Sequence, residues 1–388
     1  GISWDEQGQG EYGRLLLEYY ASGFTDKSAF SFSNLYYYGG AFDLLATLLQ
    51  KISPFDAYET RHLLGGLIGM AGLVGVWRLG REVGGPRVGL LSLVLLATTA
   101  RYYGHFFSNP KDLPFAVAIT WCLYFFCRVF AELPRVRLST SLWLGLAFGL
   151  ALGTRVGAVI IAPSFLLPFL LRLAGRLREG VWPAEAVWEG VTTLLRLLPA
   201  ALVAYGVMIA CWPWAAQDVL NPLHALTMFK NFPFKGVLPF DGQLVPAMEL
   251  PWTYLPKLLL FCLPPTLLVG LALALLTGTA TALLRPDSML EAKSLGILAV
   301  VLTAVVPIAY FLATTPPAYN GIRHFLFVVP PLAVTAALAI NLLLELPMPL
   351  SGLAGLILAV GLVWQGWTMV RLHPHQYVYF YTLTGGPA

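Results

Sequence analysis

Charged side chains set among long apolar runs are the residues of this sequence that could do chemistry. Asp5-Glu6, in Trp4-Asp5-Glu6-Gln7, is an adjacent acidic pair. A carboxylate there could act as general base on a sugar or protein hydroxyl. Ser3-x-x-Glu6 also fits a capping box, and from spacing alone the cap is the better account. Asn109-Pro110-Lys111-Asp112-Leu113-Pro114 joins two apolar runs. Lys111 stands just ahead of a helix N-terminus, where a cation and free backbone N–H groups together suit a phosphate. Asp112 also reads as a helix N-cap with Pro114 in the first turn. Arg101 and His105, spaced i,i+4, share a helix face, and an arginine that deep in an apolar run faces the protein interior or a wet cavity. Arg155 in Gly153-Thr154-Arg155, the pair Arg323-His324 and the pair Arg61-His62 repeat the theme. Each alone could snorkel to the lipid headgroups; several at one membrane face point to an anion site.

The elements that must position these groups follow from composition. The chain has 388 residues, 57% hydrophobic and only 11% charged, with mean hydropathy +0.71. A soluble domain carries about 25% charged residues, so a soluble enzyme, a disordered chain and a nucleic-acid binder are excluded. Cys122, Cys127, Cys211 and Cys262 all lie in apolar runs and form no disulfide framework. With about 20 apolar residues needed per span, ten candidates stand near 62–79, 88–106, 113–130, 139–154, 156–171, 194–213, 255–277, 294–313, 324–343 and 350–370. The fourth and fifth are short enough to make one tight hairpin. The fold class is therefore an all-α polytopic membrane bundle, organised as a first outer segment 1–61, a bundle 62–370 with a second long outer loop 214–254, and an outer tail 371–388.

Orientation follows from the basic residues. With 1–61 outside, the inner loops collect Arg78, Arg81, Arg87, Arg128, Arg135, Arg137, Arg172, Arg176, Arg178, Arg196, Arg285 and Lys293, a positive-inside bias. An outer segment at the start needs a span upstream of Gly1 to carry it across, so one is expected there. Within 1–61, Tyr12, Leu15, Leu16, Tyr19 and Tyr20, and then Phe42, Leu45, Leu48 and Leu49, recur at helical spacing. Such helices either lie in the interface or pack on the spans. The 214–254 loop holds Trp214, Phe229, Phe232, Phe234, Phe240 and Trp252 with Lys230 and Lys235; aromatic faces suit a carbohydrate lid, and equally an interfacial belt. His373-Pro-His375 is too short and isolated for a metal site.

The order of these motifs is similar to a known superfamily. An acidic pair opens a long outer loop, Pro110-Lys111-Asp112 follows two spans later, Gly153-Thr154-Arg155 stands at an outer edge, and Tyr319-Asn320-Gly321-Ile322-Arg323-His324-Phe325-Leu326 runs into Pro330-Pro331. The chain resembles, over nearly its whole length, the GT-C superfamily of polyprenyl-phosphate-dependent glycosyltransferases, and most closely its protein mannosyltransferase and lipid A aminoarabinose transferase branch. His373-Pro-His375-Gln376-Tyr377-Val378-Tyr379-Phe380 looks like the end of bacterial members. The resemblance implies that Asp5 is the catalytic base, Glu6 its motif partner and Asp112 a second acidic site residue. It also implies that Lys111, Arg155 and Arg323 bind the lipid phosphate; His324, Arg61 and Arg101 join them as candidates from their placement. The implied partners are a polyprenyl-phosphate sugar donor, a lipid, glycan or protein acceptor, and the lipids of a bacterial inner membrane with the site on its periplasmic side. No cofactor is required by this reading, although Asp5, Glu6 and Asp112 could together hold a divalent cation; the branch does not generally use one.

Three other readings use the same residues. A lipid-phosphate transporter or flippase would bind with the same cations and do no chemistry, but no inverted halves are visible. A non-catalytic subunit could keep the fold without the activity. An enzyme acting on a diphosphate-linked oligosaccharide would need a roomier outer cavity.

Overall fold

The computed structural model describes residues 2–230, 232 and 234–381. Gly1 and the last seven residues of the 371–388 tail lie outside the described residues. The chain is a multi-pass helical membrane protein. Helices α1 (Glu6–Ala21) and α2 (Ala41–Gln50) precede α3 (Ala57–Gly84), α4 (Pro86–Ala97), α5 (Ala100–Gly104), α6 (Asp112–Glu132) and α7 (Leu138–Leu152). After a 3₁₀ turn at 156–161 come α8 (Ala162–Arg178), α9 (Pro183–Cys211) and α10 (Asn221–Lys230). Strands β1 (Val237–Phe240) and β2 (Gln243–Pro246) form an antiparallel hairpin. The chain closes with α11 (Tyr254–Cys262), α12 (Pro265–Leu284), α13 (Ala292–Thr314), α14 (Val329–Leu344) and α15 (Leu350–Arg371).

Every one of the ten predicted spans falls on helix. Among the described residues eight helical segments are long and apolar enough to cross a membrane; α4 and α7 are apolar but shorter. The second predicted run breaks where Thr98 and Thr99 turn their hydroxyls onto the carbonyls of Val94 and Leu95, a local bond that competes with the helix. The seventh breaks at Leu263-Pro264, because a proline disfavours helical backbone at the residue before it and supplies no N–H. Instead of forming a hairpin with α8, α7 packs along α9, while α8 lies along α13. Gly145 and Gly149 of α7 meet Ala200 and Ala204 of α9 backbone to backbone, the small-residue seam expected between helices in lipid.

Burial identifies the centre. The apolar windows of α6 and of the span into α14 are each 72% buried, against 11% for α12 and 6% for α15. Ile119, Leu123, Val300, Val334 and Ala337 are fully covered. Leu353, Leu356, Ile357, Val360 and Val363 of α15 stand out of the bundle, as side chains that face hydrocarbon rather than water should. Over one end lie α1 and α2. Tyr12 and Leu16 of α1 are buried inward, whereas Leu45 and Leu48 of α2 point away, so the two amphipathic stretches divide between packing and an open apolar face.

Candidate active site at one end of the bundle

Three carboxylates and four cations converge beneath α1 and α2. Asp5 precedes α1 and its side chain makes no capping bond. It is instead turned to Arg323, with Oδ2 3.2 Å from Nη2. Arg323 also reaches Asp112, Nε to Oδ2 at 3.3 Å, and Arg155 Nη2 pairs with the other oxygen of Asp112. Asp112 is thus bracketed by two guanidiniums. It opens α6, where the helix dipole favours negative charge. Its orientation is fixed by Asn109, whose Nδ2 donates to Asp112 Oδ2 at 3.0 Å while its Oδ1 accepts the backbone N–H groups of Asp112 and Lys111. The same Nδ2 faces His105 Nδ1 at 3.2 Å. In that pairing the amide donates and the ring nitrogen accepts.

The third carboxylate, which the sequence analysis missed, sits below. Asp43 of α2 is fully buried. Arg61 Nη2 lies 2.6 Å from its Oδ1 and Lys111 Nζ 3.1 Å from its Oδ2. Lys111 Nζ also donates to the carbonyl of Gly39 at 3.3 Å. Neighbours Lys111 and Asp112 are therefore drawn to opposite partners, which pins the loop between α5 and α6. Arg61 stands in the first turn of α3, whose start is set by a capping box between Asp56 and Glu59.

Tyrosines cover the cations. The Tyr38 ring lies 5.5 Å from the Arg155 guanidinium carbon and 5.2 Å from Lys111 Nζ; the Tyr319 ring lies 5.5 Å from that of Arg323. Burial pushes both phenols up, so each stays protonated. Tyr38 is held by the segment around Gly39, where Gly40 N–H bonds to Cys211 O and Ala41 N–H to Gly153 O. A Cβ on Gly39 would fall 1.8 Å from Gly153 O; only glycine lets the segment sit on the end of α7, next to Arg155. Left-handed backbone at Asn320 and Gly321 (φ 58° and 71°) turns the chain into Arg323.

The remaining predicted residues divide. Glu6 is buried and faces away from Asp5: its carboxylate accepts the Ser3 backbone N–H and lies 2.7 Å from His62 Nε2. One arm of the predicted capping box is formed; the Ser3 hydroxyl makes no bond. His324 packs edge-on against Tyr319. Arg101 is committed to the C-terminal segment, its Nε donating to Tyr379 O at 2.7 Å with the guanidinium over the Phe380 ring. From the 214–254 loop, Phe229 contacts Tyr38 and Phe234 stacks on Tyr319; Trp252 is exposed.

Two features define what this arrangement can do. Among the described residues the Nε atoms of Arg61 and Arg155 are buried without a hydrogen-bond partner, and that of Arg323 meets Asp112 as an ion-pair contact at 3.3 Å without hydrogen-bond geometry. Buried donors are nearly always satisfied, so the cluster has capacity for an anion's oxygens. Asp5, with its side chain 44% exposed beside Arg323, is the carboxylate open to an incoming group. As for a cation, no three His, Cys, Asp or Glu side chains among the described residues converge as metal ligands. Asp5 and Asp112 share a guanidinium, and Glu6 points elsewhere.

Comparison with known proteins bears on the fold and on part of the sequence. Residues 42–212 match the model of the dolichyl-phosphate-mannose-protein mannosyltransferase family. No curated protein matches the chain. Among solved structures it is similar to the apo oligosaccharyltransferase of Archaeoglobus fulgidus, at 16% identity and TM-score 0.60, covering 98% of this chain and 52% of that one. The archaeal oligosaccharyltransferase AglB from the same organism, in complex with an inhibitory peptide and a dolichol-phosphate, matches at 14% identity and TM-score 0.59, with 95% and 52% covered. ArnT from Cupriavidus metallidurans bound to undecaprenyl phosphate matches at 14% and 0.54, with 91% and 58% covered. The chain spans about half the length of these proteins, and at such identities the likeness is one of fold. The chain has the fold of these structures, as its resemblance to the GT-C superfamily implied, and residues 42–212 match the model of the protein mannosyltransferase family.

Proposed function

We propose that this chain is an inverting glycosyltransferase that moves a sugar from a polyprenyl-phosphate donor to an acceptor hydroxyl at the outer face of the membrane, the periplasmic side of a bacterial inner membrane. The observation that carries the reading is Arg323, shared between the open carboxylate Asp5 and the buried carboxylate Asp112. Base and cations thereby stand in one site. The lipid phosphates bound by AglB and ArnT support a donor of this chemical class.

The reaction must displace phosphate from an anomeric carbon, and negative charge grows on the departing oxygen. Arg155 and Arg323, already fixed by Asp112, provide positive charge and unused N–H donors for it, and preplaced donors need no reorganisation at the moment of reaction. A donor phosphate on Arg323 competes with Asp5 for that guanidinium and frees the carboxylate. Asp5 then takes the acceptor's hydroxyl proton. The hydroxyl oxygen forms its bond to the anomeric carbon from the face opposite the phosphate. The old carbon–oxygen bond breaks with its electron pair on the phosphate, inverting the configuration. Lys111 contributes positive charge from below, Glu6 fixes the start of α1 through His62, and Arg101 holds the C-terminal segment. The acceptor, whether lipid, glycan or protein, approaches past α1 and the 214–254 loop.

The test is transfer of radiolabelled sugar from a panel of polyprenyl-phosphate sugars in membranes carrying full-length protein, comparing wild type with Asp5→Asn. Loss of a general base costs about 10²–10⁴ in rate, so transfer should fall by that factor while donor still binds. Undiminished transfer by the variant would remove Asp5 as the base. Lipid binding without transfer from any donor would make the protein a lipid-phosphate transporter or a non-catalytic subunit.

A further inference from the structure

Asp43 is the most completely buried ionised group of the cluster, and the mechanism above makes no use of it. It lies on α2 at 0% exposure, while its partners come from two other elements, Arg61 from α3 and Lys111 from the loop before α6. Burying three charges together is costly, and such a group is often no more stable than apolar side chains of the same volume. Stability alone therefore does not account for it. The placement of Lys111 suggests what does. Its ammonium and the Arg155 guanidinium lie at 5.2 and 5.5 Å from the same Tyr38 ring, and Arg155 is the partner of Asp112.

We propose that Asp43 is a positioning residue: the fixed counter-ion that holds the Lys111 ammonium charged and adjacent to the Arg155–Asp112–Arg323 site, as a third cation for the lipid phosphate. The role rests on the phosphate-binding part of the reading above. Every charged or titratable group facing Lys111 can be named. Asp43 attracts it from α2; Arg61 on α3 and Arg155 beyond α7 repel it; the Tyr12 ring of α1 and the Tyr38 ring lie 5.6 and 5.2 Å from Nζ. Asp112, its sequence neighbour, is turned to the two guanidiniums. Burial pushes the Lys111 ammonium below the ordinary lysine range, and Asp43 is the group that opposes burial. Without Asp43, burial and two guanidiniums act on Lys111 unopposed. The charge is then present at low pH and lost at a lower pH than in the wild type as pH rises.

The experiment measures binding of undecaprenyl phosphate to the purified full-length protein between pH 6 and pH 10. Wild type should hold its affinity through pH 9 and lose it only above that, as Lys111 itself titrates. Asp43→Asn should lose about tenfold or more between pH 7 and pH 9, a factor of ten being one unit of displaced titration. Asp43→Asn combined with Lys111→Arg should give a flat profile, because a guanidinium does not titrate in that range. A purely structural Asp43 would lower the yield of folded protein and leave the shape of the profile unchanged. Should Asp43→Asn fail to fold, Asp43→Asn with Arg61→Gln removes the second unpaired cation and asks the same question of Lys111. A wild-type profile in the variants, or no recovery with Lys111→Arg, overturns this role alone. No binding by the wild type overturns the lipid-phosphate reading and this role with it.

Discussion

The two ends of the bundle are both rich in charge and use it differently. At the end capped by α1 and α2, Asp43 and Asp112 have side chains 1% and 3% exposed and each is held by two cations from distant parts of the chain. At the opposite end Arg128 bridges Glu82 and Glu132, Arg176 bridges Glu179 and Glu189, and Arg87 approaches Glu345. Many of those pairs are local or open: Arg137 is 70% exposed beside Glu132 and Arg87 is 58% exposed. Even the buried Glu132 is fully used, by Arg128, by the Thr140 hydroxyl and by the Arg137 backbone N–H. One end spends its charge on helix ends and the membrane edge, as a positive-inside distribution requires. The other concentrates charge where it is expensive and holds three of the four buried guanidinium Nε atoms that lack a hydrogen-bond partner among the described residues, the fourth being that of Arg172 at the opposite end.

The sharpest way to break this contrast is Asp112→Asn. It leaves Arg155 without its counter-ion and Arg323 with Asp5 alone, and removing one partner of a buried charge group costs about 3–5 kcal/mol. Thermal unfolding of the purified protein should show a large drop, exceeding that of Glu132→Gln. At Glu132 the amide oxygen can still accept the Arg137 backbone N–H while its NH2 donates to the Thr140 hydroxyl, and Arg128 keeps Glu82. Added undecaprenyl phosphate should stabilise Asp112→Asn more than wild type, because it brings an anion to the guanidiniums that have lost Asp112. Equal drops at the two ends would show that burial at the Asp112 site carries no special cost.

How much of this was legible in the sequence depends on the length scale of the signal. Spans announce themselves as apolar runs, and all ten proved helical. Their breaks at Thr98-Thr99 and Pro264 were blurred because the hydropathy continues across them. Asp112, Arg155 and Arg323 could be named because each is a charge standing next to an apolar run, and Asp5 because it belongs to an acidic pair that the resemblance marks, yet their meeting spans up to 318 residues of sequence, and no spacing rule reaches that far. Asp43 was lost because Phe42, Leu45, Leu48 and Leu49 drew attention to the apolar stripe. The signal was there: a lone acid in an apolar helix must find partners to be buried at all. Arg61 and Arg101 show the converse. Both are buried arginines of the expected kind, but one is taken by Asp43 and the other by the carbonyl of Tyr379.

A smaller effect separates the ends at the level of backbone. Gly39→Ala would press a methyl group onto the carbonyl of Gly153, and two backbones must move to relieve it. Overpacking of this kind costs about 1–3 kcal/mol. Because the same contact seats Tyr38 over Arg155 and Lys111, donor affinity should fall with stability. Gly180→Ala, in the turn between α8 and α9 with φ 81°, has nothing within 4 Å of its Cβ and should cost stability alone. A Gly39→Ala variant that loses stability but binds undecaprenyl phosphate normally would uncouple this segment from the site.

The smallest effect is expected where the pair is most open. Arg87 Nη1 and Glu345 Oε1 stand 3.8 Å apart, with side chains 58% and 56% exposed. In that setting water screens the attraction, and holding two long side chains in register offsets most of what is gained, so exposed pairs contribute about 0–1 kcal/mol. Arg87→Gln should leave the unfolding temperature, donor binding and transfer unchanged within measurement error at ordinary ionic strength. Its effect should appear elsewhere, in the fraction of molecules inserted in one orientation when further arginines of that end such as Arg78 and Arg81 are neutralised with it, because basic residues flanking the spans act collectively. Protease protection of the two ends in sealed vesicles measures that fraction. If Arg87→Gln alone lowered donor binding, charge at the two ends would be coupled through α4 and α14, and the division of labour between them would fall.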